Sequence, residues 1–204
     1  MSLGATEFRA GVDAVIPLLQ QIEPAQWDEM AFRLTWTCRE TVDHLSDDFA
    51  FYAMQLAGQT PPTNDYLRVI EPAAEREGGP ANVMRTEPTA GTAGIVQTLD
   101  ATAGLLAAVV AVTPADKRGY HPRGLADAGG FAAMGAIELV LHAHDILQTF
   151  DIPYSPAPTL TCGILDRLLP AASRTDDPWA DLLEASGRGP SGPRPWTWDA
   201  NVRD

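Results

Sequence analysis

The 204 residues carry 14 Lys and Arg against 27 Asp and Glu, a net charge of −13 with a pI near 4.5. A phosphate backbone is repelled by such a chain, which excludes nucleic acid as a natural partner. Apolar residues make up 45% and charged ones 20%, the balance of a chain that buries a core, and the length suits one domain over residues 1–204. The most apolar run, Ala103 to Val112, stops at Thr113-Pro114, short of the ~20 residues a membrane-spanning helix needs, so no membrane partner is expected. The start, MSLGATEFRAG, lacks the basic head and apolar centre of a secretory signal. A cytoplasmic, reducing location is therefore expected, with Cys38 and Cys162 as free thiols.

Phe8, Val12, Val15, Leu19 and Ile22 recur at helical spacing and predict a first helix over about 6–22, kinked or starting late at Pro17. Thr37-Cys38-Arg39-Glu40 fits a capping box. It opens a second helix over 38–57 whose stripe is Val42, Leu45, Phe49, Tyr52 and Leu56, with Gly58 as a left-handed cap and Pro61-Pro62 as a stop. Residues 59–90 hold Pro61, Pro62, Pro72, Pro80, Pro88 and Gly78-Gly79 and read as an extended crossover with at most a short helical turn. Ile95, Leu99, Leu106 and Val109 mark a third helix ending at Pro114, and 117–130 reads as a loop.

Asp127 is the expected N-cap of a fourth helix, 128–149, through Phe131, Met134, Ile137, Leu141 and Ile146. Two shorter helices, 159–169 and 178–185, follow, the second with Asp177 as N-cap, Pro178 at its first position and Gly187 past its end. The tail from Ser186 to Pro195 reads as irregular. With no alternating strand pattern, the expected fold is all-α: an antiparallel four-helix bundle with long crossover loops and short additional C-terminal helices.

Glu138 and His142 stand four apart on the fourth helix and so leave the same face, within reach of one small ion. An ordinary i,i+4 pair has the same spacing. His44 lies beside the stripe of the second helix, either facing the fourth helix across the bundle or hydrogen-bonded at its edge. Three protein ligands from two helices would leave coordination positions for water or substrate, as catalytic zinc sites do. The donor types suit zinc, nickel or iron(II).

Asp145, three residues past His142, could orient that imidazole, handle a proton, or be an exposed helix-end acid. Asp47 and Asp48 read as solvated acids, although Asp48 could serve His44 as Asp145 serves His142. His144 points about 200° around the helix from His142, away from the site. Cys38 in a first helical turn could have a depressed thiol pKa, a placement that permits reactivity without requiring it. Trp27 and Trp36 read first as loop anchors and second as pocket walls.

The segment Trp36-Thr37-Cys38-Arg39-Glu40-Thr41-Val42-Asp43-His44-Leu45 resembles the W-T-x-R-[DE]-x-x-x-H-L segment of the mycothiol-dependent maleylpyruvate isomerase N-terminal domain, a family of DinB-like helical bundles. Glu138-Leu139-Val140-Leu141-His142-Ala143-His144-Asp145 resembles that family's E-x-x-x-H-x-x-D signature, and the stretch from Leu182 to Arg188 is similar to a family ending. The resemblance covers about residues 5–150 in helix order, with the C-terminal helices and tail at 159–204. It implies one divalent metal ion, commonly zinc, bound by His44, Glu138 and His142. It also implies an external small thiol, such as mycothiol, as cosubstrate in place of the protein's own cysteine, so that Cys38 reads as a packing residue.

The expected function is a metal-dependent thiol transferase or isomerase whose partners are a small-molecule thiol and an electrophile. A metal-dependent hydrolase, with Asp145 or Glu138 handling protons, and a non-catalytic metal-binding stress or sensing protein are the alternatives. The chain stops at Asp204, leaving little room for the extra domain of full-length isomerases, which argues against maleylpyruvate itself. A helix face could also pair two copies as a homodimer.

Overall fold

The structure, a computed structural model, describes residues 3–69, 73–193, 195 and 197–202. Met1, Ser2, Pro72, Arg194 and Asp204, used in the reading above, lie outside the described residues. The chain is helical, with helices α1 (Ala5–Leu19), α2 (Cys38–Ala57), α3 (Gly91–Val112), α4 (Ala128–Thr149), α5 (Pro158–Leu168) and α6 (Pro178–Ala185). Between α3 and α4 lies a small antiparallel hairpin, β1 (Gly119–His121) and β2 (Gly124–Ala126). The all-α expectation holds. The hairpin corrects the loop expected at 117–130, because strands of three residues are too short to display an alternating pattern.

Helices α1 to α4 pack against one another, α5 lies against α4 and α1, and α6 against α5. Helix α4 runs through the middle. Gly130 to Ala143 and Asp145 to Leu147 are buried, and only small residues allow neighbours so close. A Cβ on Gly135 would stand 2.8 Å from Leu106 of α3 and 3.1 Å from the Phe8 ring of α1. Phe8 in turn meets Phe49 of α2 edge-on at 5.1 Å. The stripes of α1 and α2 are buried as their spacing predicts.

Helix α1 tolerates Pro17 near its end but stops at Leu19, three residues short of the expected bound, with Ile22 still buried in the turn beyond. Gly58 is not a left-handed cap: its φ of −57° and ψ of 155° are extended, and its carbonyl accepts from Lys117 Nζ at 2.7 Å. The caps at Asp127 and Asp177 form as expected, and Gly187 takes a φ of 73° just past α6. The α3 segment with its leading turn, Pro88–Val112, and α4 are both long and apolar enough, by length and composition, to cross a membrane. The expected ten-residue run was thus too short a measure. In α4, 94% of the apolar window is buried by the rest of the fold, as in a core helix, against 39% in Pro88–Val112.

At the start of α2 the Thr37 hydroxyl accepts from the Glu40 amide at 3.1 Å while the Glu40 carboxylate accepts from the Thr37 amide at 2.8 Å. Both pair otherwise orphaned helix-end donors. Thr37→Ala is expected to cost about 1 kcal/mol, read as a lowered urea midpoint at unchanged slope.

Candidate metal centre

An apolar bundle admits ionisable side chains at its centre only where they partner one another. Helix α4 brings Glu138 and His142 one turn apart, and both are buried, at 6% and 7% exposure. Helix α2 presents His44 to them: the His44 and His142 rings meet edge-on at 5.3 Å. One donor atom each from His44, Glu138 and His142 lies within 4.8 Å of the other two. His142 Nε2 also stands 3.1 Å from Glu138 Oε2, so the i,i+4 pair and the three-residue cluster coexist.

The two imidazoles differ in charge. At His44, burial and then the neighbouring His142 disfavour an imidazolium more than Glu138 favours one, and the pKa falls to about 4. His44 is therefore neutral with a free lone pair near pH 7. At His142, burial also opposes charge, but the close Asp145 and Glu138 carboxylates outweigh it and lift the pKa to about 9. Glu138 stays below its ordinary value despite burial, because His142, His44 and Arg188 stabilise its charge. The His142 proton is thus the positive charge held among these donors. A divalent ion would replace that proton with a stronger positive charge on the same nitrogen and carboxylate set, so the residues fit a metal.

Behind His142 stands Asp145, 1% exposed, with Oδ2 3.3 Å from His142 Nδ1. The contact is an ion-pair distance without hydrogen-bond alignment. Arg188, from the tail after α6, grips Asp145 with both arms: Nε donates to Oδ1 at 2.8 Å and Nη2 to Oδ2 at 2.6 Å. Burial raises the Asp145 pKa, yet His142 and Arg188 together hold it below the usual carboxylate range. Asp145 is therefore no exposed helix-end acid. Arg188 is the residue that helical spacing misses: it is 43 positions from its partner, and its one signal is its place at the end of the Leu182 to Arg188 stretch.

Trp36 is a wall of the site, its ring 4.9 Å from that of His44 and 5.9 Å from that of His142. The turn before α2 holds it there. Ala31 N donates to Trp36 O, and Phe32 N donates both to Asp145 O at 3.0 Å and to Thr149 Oγ1 at 2.9 Å. Trp27 is the loop anchor that was expected: it is fully buried, with Nε1 donating to Thr92 Oγ1 at 2.8 Å.

Asp48 departs from the solvated reading, since its Oδ2 lies 3.4 Å from His44 Nε2 and accepts from the Tyr52 hydroxyl at 3.4 Å. Burial, then Glu138, push its pKa well above the usual range. Cys38 is buried and outside the cluster. Burial lifts its thiol to about 11 despite the Thr149 hydrogen bond, the opposite of what its helix position alone suggests. His144 turns away to meet Trp179 edge-on at 5.6 Å. His121 sits on the hairpin, with Nδ1 accepting from Arg123 N.

A cleft of about 290 Å³ opens beside the cluster, walled by Trp36, His44, Asp48, Phe51, Tyr66 and Asn82. The crossover residues among these are tied to α2 by its polar side chains. Buried Gln55 donates to Asp65 O at 3.1 Å and accepts from Leu67 N at 3.0 Å, clamping the backbone on both sides of Tyr66. Asp47 accepts from Met84 N at 2.8 Å, and Asp43 from Thr86 N at 2.9 Å.

Residues 7–146 match the family model described as the DinB superfamily. Among curated proteins and among solved structures, nothing matches the chain.

Asp145→Asn removes the charge that steadies His142 and should weaken zinc binding by about 10- to 100-fold, measured by competition with a chromogenic chelator on protein whose helicity is unchanged. An ion must also displace the His142 proton while His44 has none to lose. Zinc uptake at pH 7 should therefore release about one proton, and affinity should rise with pH until about 9. Calorimetry in two buffers of different ionisation enthalpy reads the proton count.

Proposed function

The chain belongs to the DinB superfamily, and from that premise we propose that it is a metal-dependent enzyme of small-thiol chemistry, a transferase or isomerase. The observation that carries this reading is the junction of a buried three-donor cluster with an open cleft: His44 belongs to both. His44, Glu138 and His142 would hold the ion, zinc before nickel or iron(II), and once bound it would supply the Lewis acidity that lowers the pKa of a low-molecular-weight thiol of the mycothiol type, so that the thiol gives its proton to solvent and can add to an electrophile.

The chain's own residues then have distinct tasks. Asp145, held by Arg188, fixes the orientation of the His142 ring. The Trp36 ring packs against both imidazoles and forms the wall between them and one side of the cleft. Neither cysteine is the nucleophile: Cys38 is sealed in the core as a thiol, and Cys162 lies exposed on α5, outside the cluster. The hydrolase alternative needs a proton acceptor, and Asp145 is a poor one, since Arg188 takes both of its oxygens and its pKa is lowered.

The test is purification with metal analysis, followed by thiol consumption with a panel of electrophiles, for wild type and His44→Ala. The expected result is about one zinc per chain and thiol consumption that falls at least ~100-fold in His44→Ala. Folded protein that takes up none of zinc, nickel or iron would sink the reading. Metal uptake with no thiol consumed, but with stability lost to chelator, would assign the ion a structural role instead.

A further inference from the structure

The chemistry of the cleft beside the cluster narrows what it can hold. Three of its walls are aromatic rings, Trp36, Phe51 and Tyr66, and Phe51 and Tyr66 meet edge-on at 5.1 Å. Its polar residues besides His44 and Tyr66 are Asp47, Asp48 and Asn82, and among the described residues no Lys or Arg lines it. Arg39 and Arg85 line the neighbouring cavity, in the company of Glu40, Asp43, Glu75 and Glu87. Apart from an ion held at the cluster itself, an incoming anion would therefore meet no counter-charge among these groups, whatever the proton state of Asp48, on a chain that is already at −13.

The acceptors are fixed in place before any ligand arrives. Asp47 Oδ1 takes the Met84 amide, which pins the carboxylate at the rim; its other oxygen has no hydrogen bond among the described residues. Asp48 is held through Oδ2 by Tyr52 and His44. The Gln55 clamp holds Tyr66 over Phe51. Aromatic walls together with a pinned carboxylate suit an ammonium group, with little ordering left to do on binding.

We propose that this cleft seats a small organic cation, an amine or quaternary ammonium, against Asp47 and the rings of Trp36, Phe51 and Tyr66. The positive group lies at the rim while the rest of the molecule extends toward His44. This rests on the proposed function only in taking the cleft as the substrate's seat. The binding itself needs no metal.

The experiment titrates the full chain, zinc-loaded and chelator-treated, with choline and with its neutral isostere in which carbon replaces the ammonium nitrogen. Trp fluorescence and calorimetry are the readouts. Choline should bind about tenfold more tightly than the isostere and weaken as salt rises. Asp47→Asn, which keeps an acceptor for Met84 N, should abolish that preference, and Trp36→Leu should abolish the fluorescence change. Equal affinity for the two probes, or a preference that survives Asp47→Asn, overturns the proposal. Choline preference without zinc uptake would remove the metal reading and leave this one standing, and zinc uptake without choline preference would do the reverse.

Discussion

Glu138, His142 and Asp145 stand on a helix that is otherwise almost wholly apolar and buried, and charge in such a place is stable only where it is matched. Much of the surrounding structure supplies that match. His142 carries its proton between two carboxylates, Arg188 reaches back from beyond α6 to neutralise Asp145, and His44 stays uncharged because a second imidazolium would find too little compensation. Arg188 also ties the start of the irregular segment after Ala185 to α4, while residues 199–202 are bonded to α5 and the hairpin.

The crossover after α2 obeys the same constraint of polar satisfaction. The described residues of 58–87 form no long helix or strand, so few of their backbone groups pair among themselves and the others need external partners. Helix α2 provides these from polar side chains beside its apolar stripe: Asp43, Asp47 and Gln55 each bind crossover backbone. The result is an irregular segment held as firmly as a regular one at three points, and it forms one wall of the cleft.

Local patterns were readable from the sequence because they depend on neighbours in the chain. The α2 stripe and the Thr37, Asp127 and Asp177 caps all involve residues within a few positions of one another, and each forms. The three donors could be picked out by residue type, helical spacing and family resemblance. What was hidden depends on distant partners. Arg188 has no periodicity connecting it to Asp145, and Trp36 becomes a wall only because Phe32 bonds to the end of α4. Asp48 looks solvated until Tyr52 and His44 close around it. Cys38 shows the converse: the helix-end effect that could lower its thiol pKa is overridden by burial, as befits a packing residue.

Whether such a cluster is built to brace helices or to work on a ligand can be argued from where it is open. A bracing site is closed on all sides by protein, because an exposed coordination position adds nothing to stability. Here the two α4 donors are nearly sealed, with side-chain exposures of 9% and 8%, while the His44 side chain on α2 is 22% exposed. The opening is not a packing defect left to solvent. It coincides with the cleft whose far side is formed by crossover residues that α2 fixes with dedicated hydrogen bonds. A bundle that needed only to tie α2 to α4 would gain more from an apolar contact in place of His44 than from a buried imidazole. The asymmetry of exposure, with the charge-neutral histidine on the open side, is what a site that receives a ligand requires.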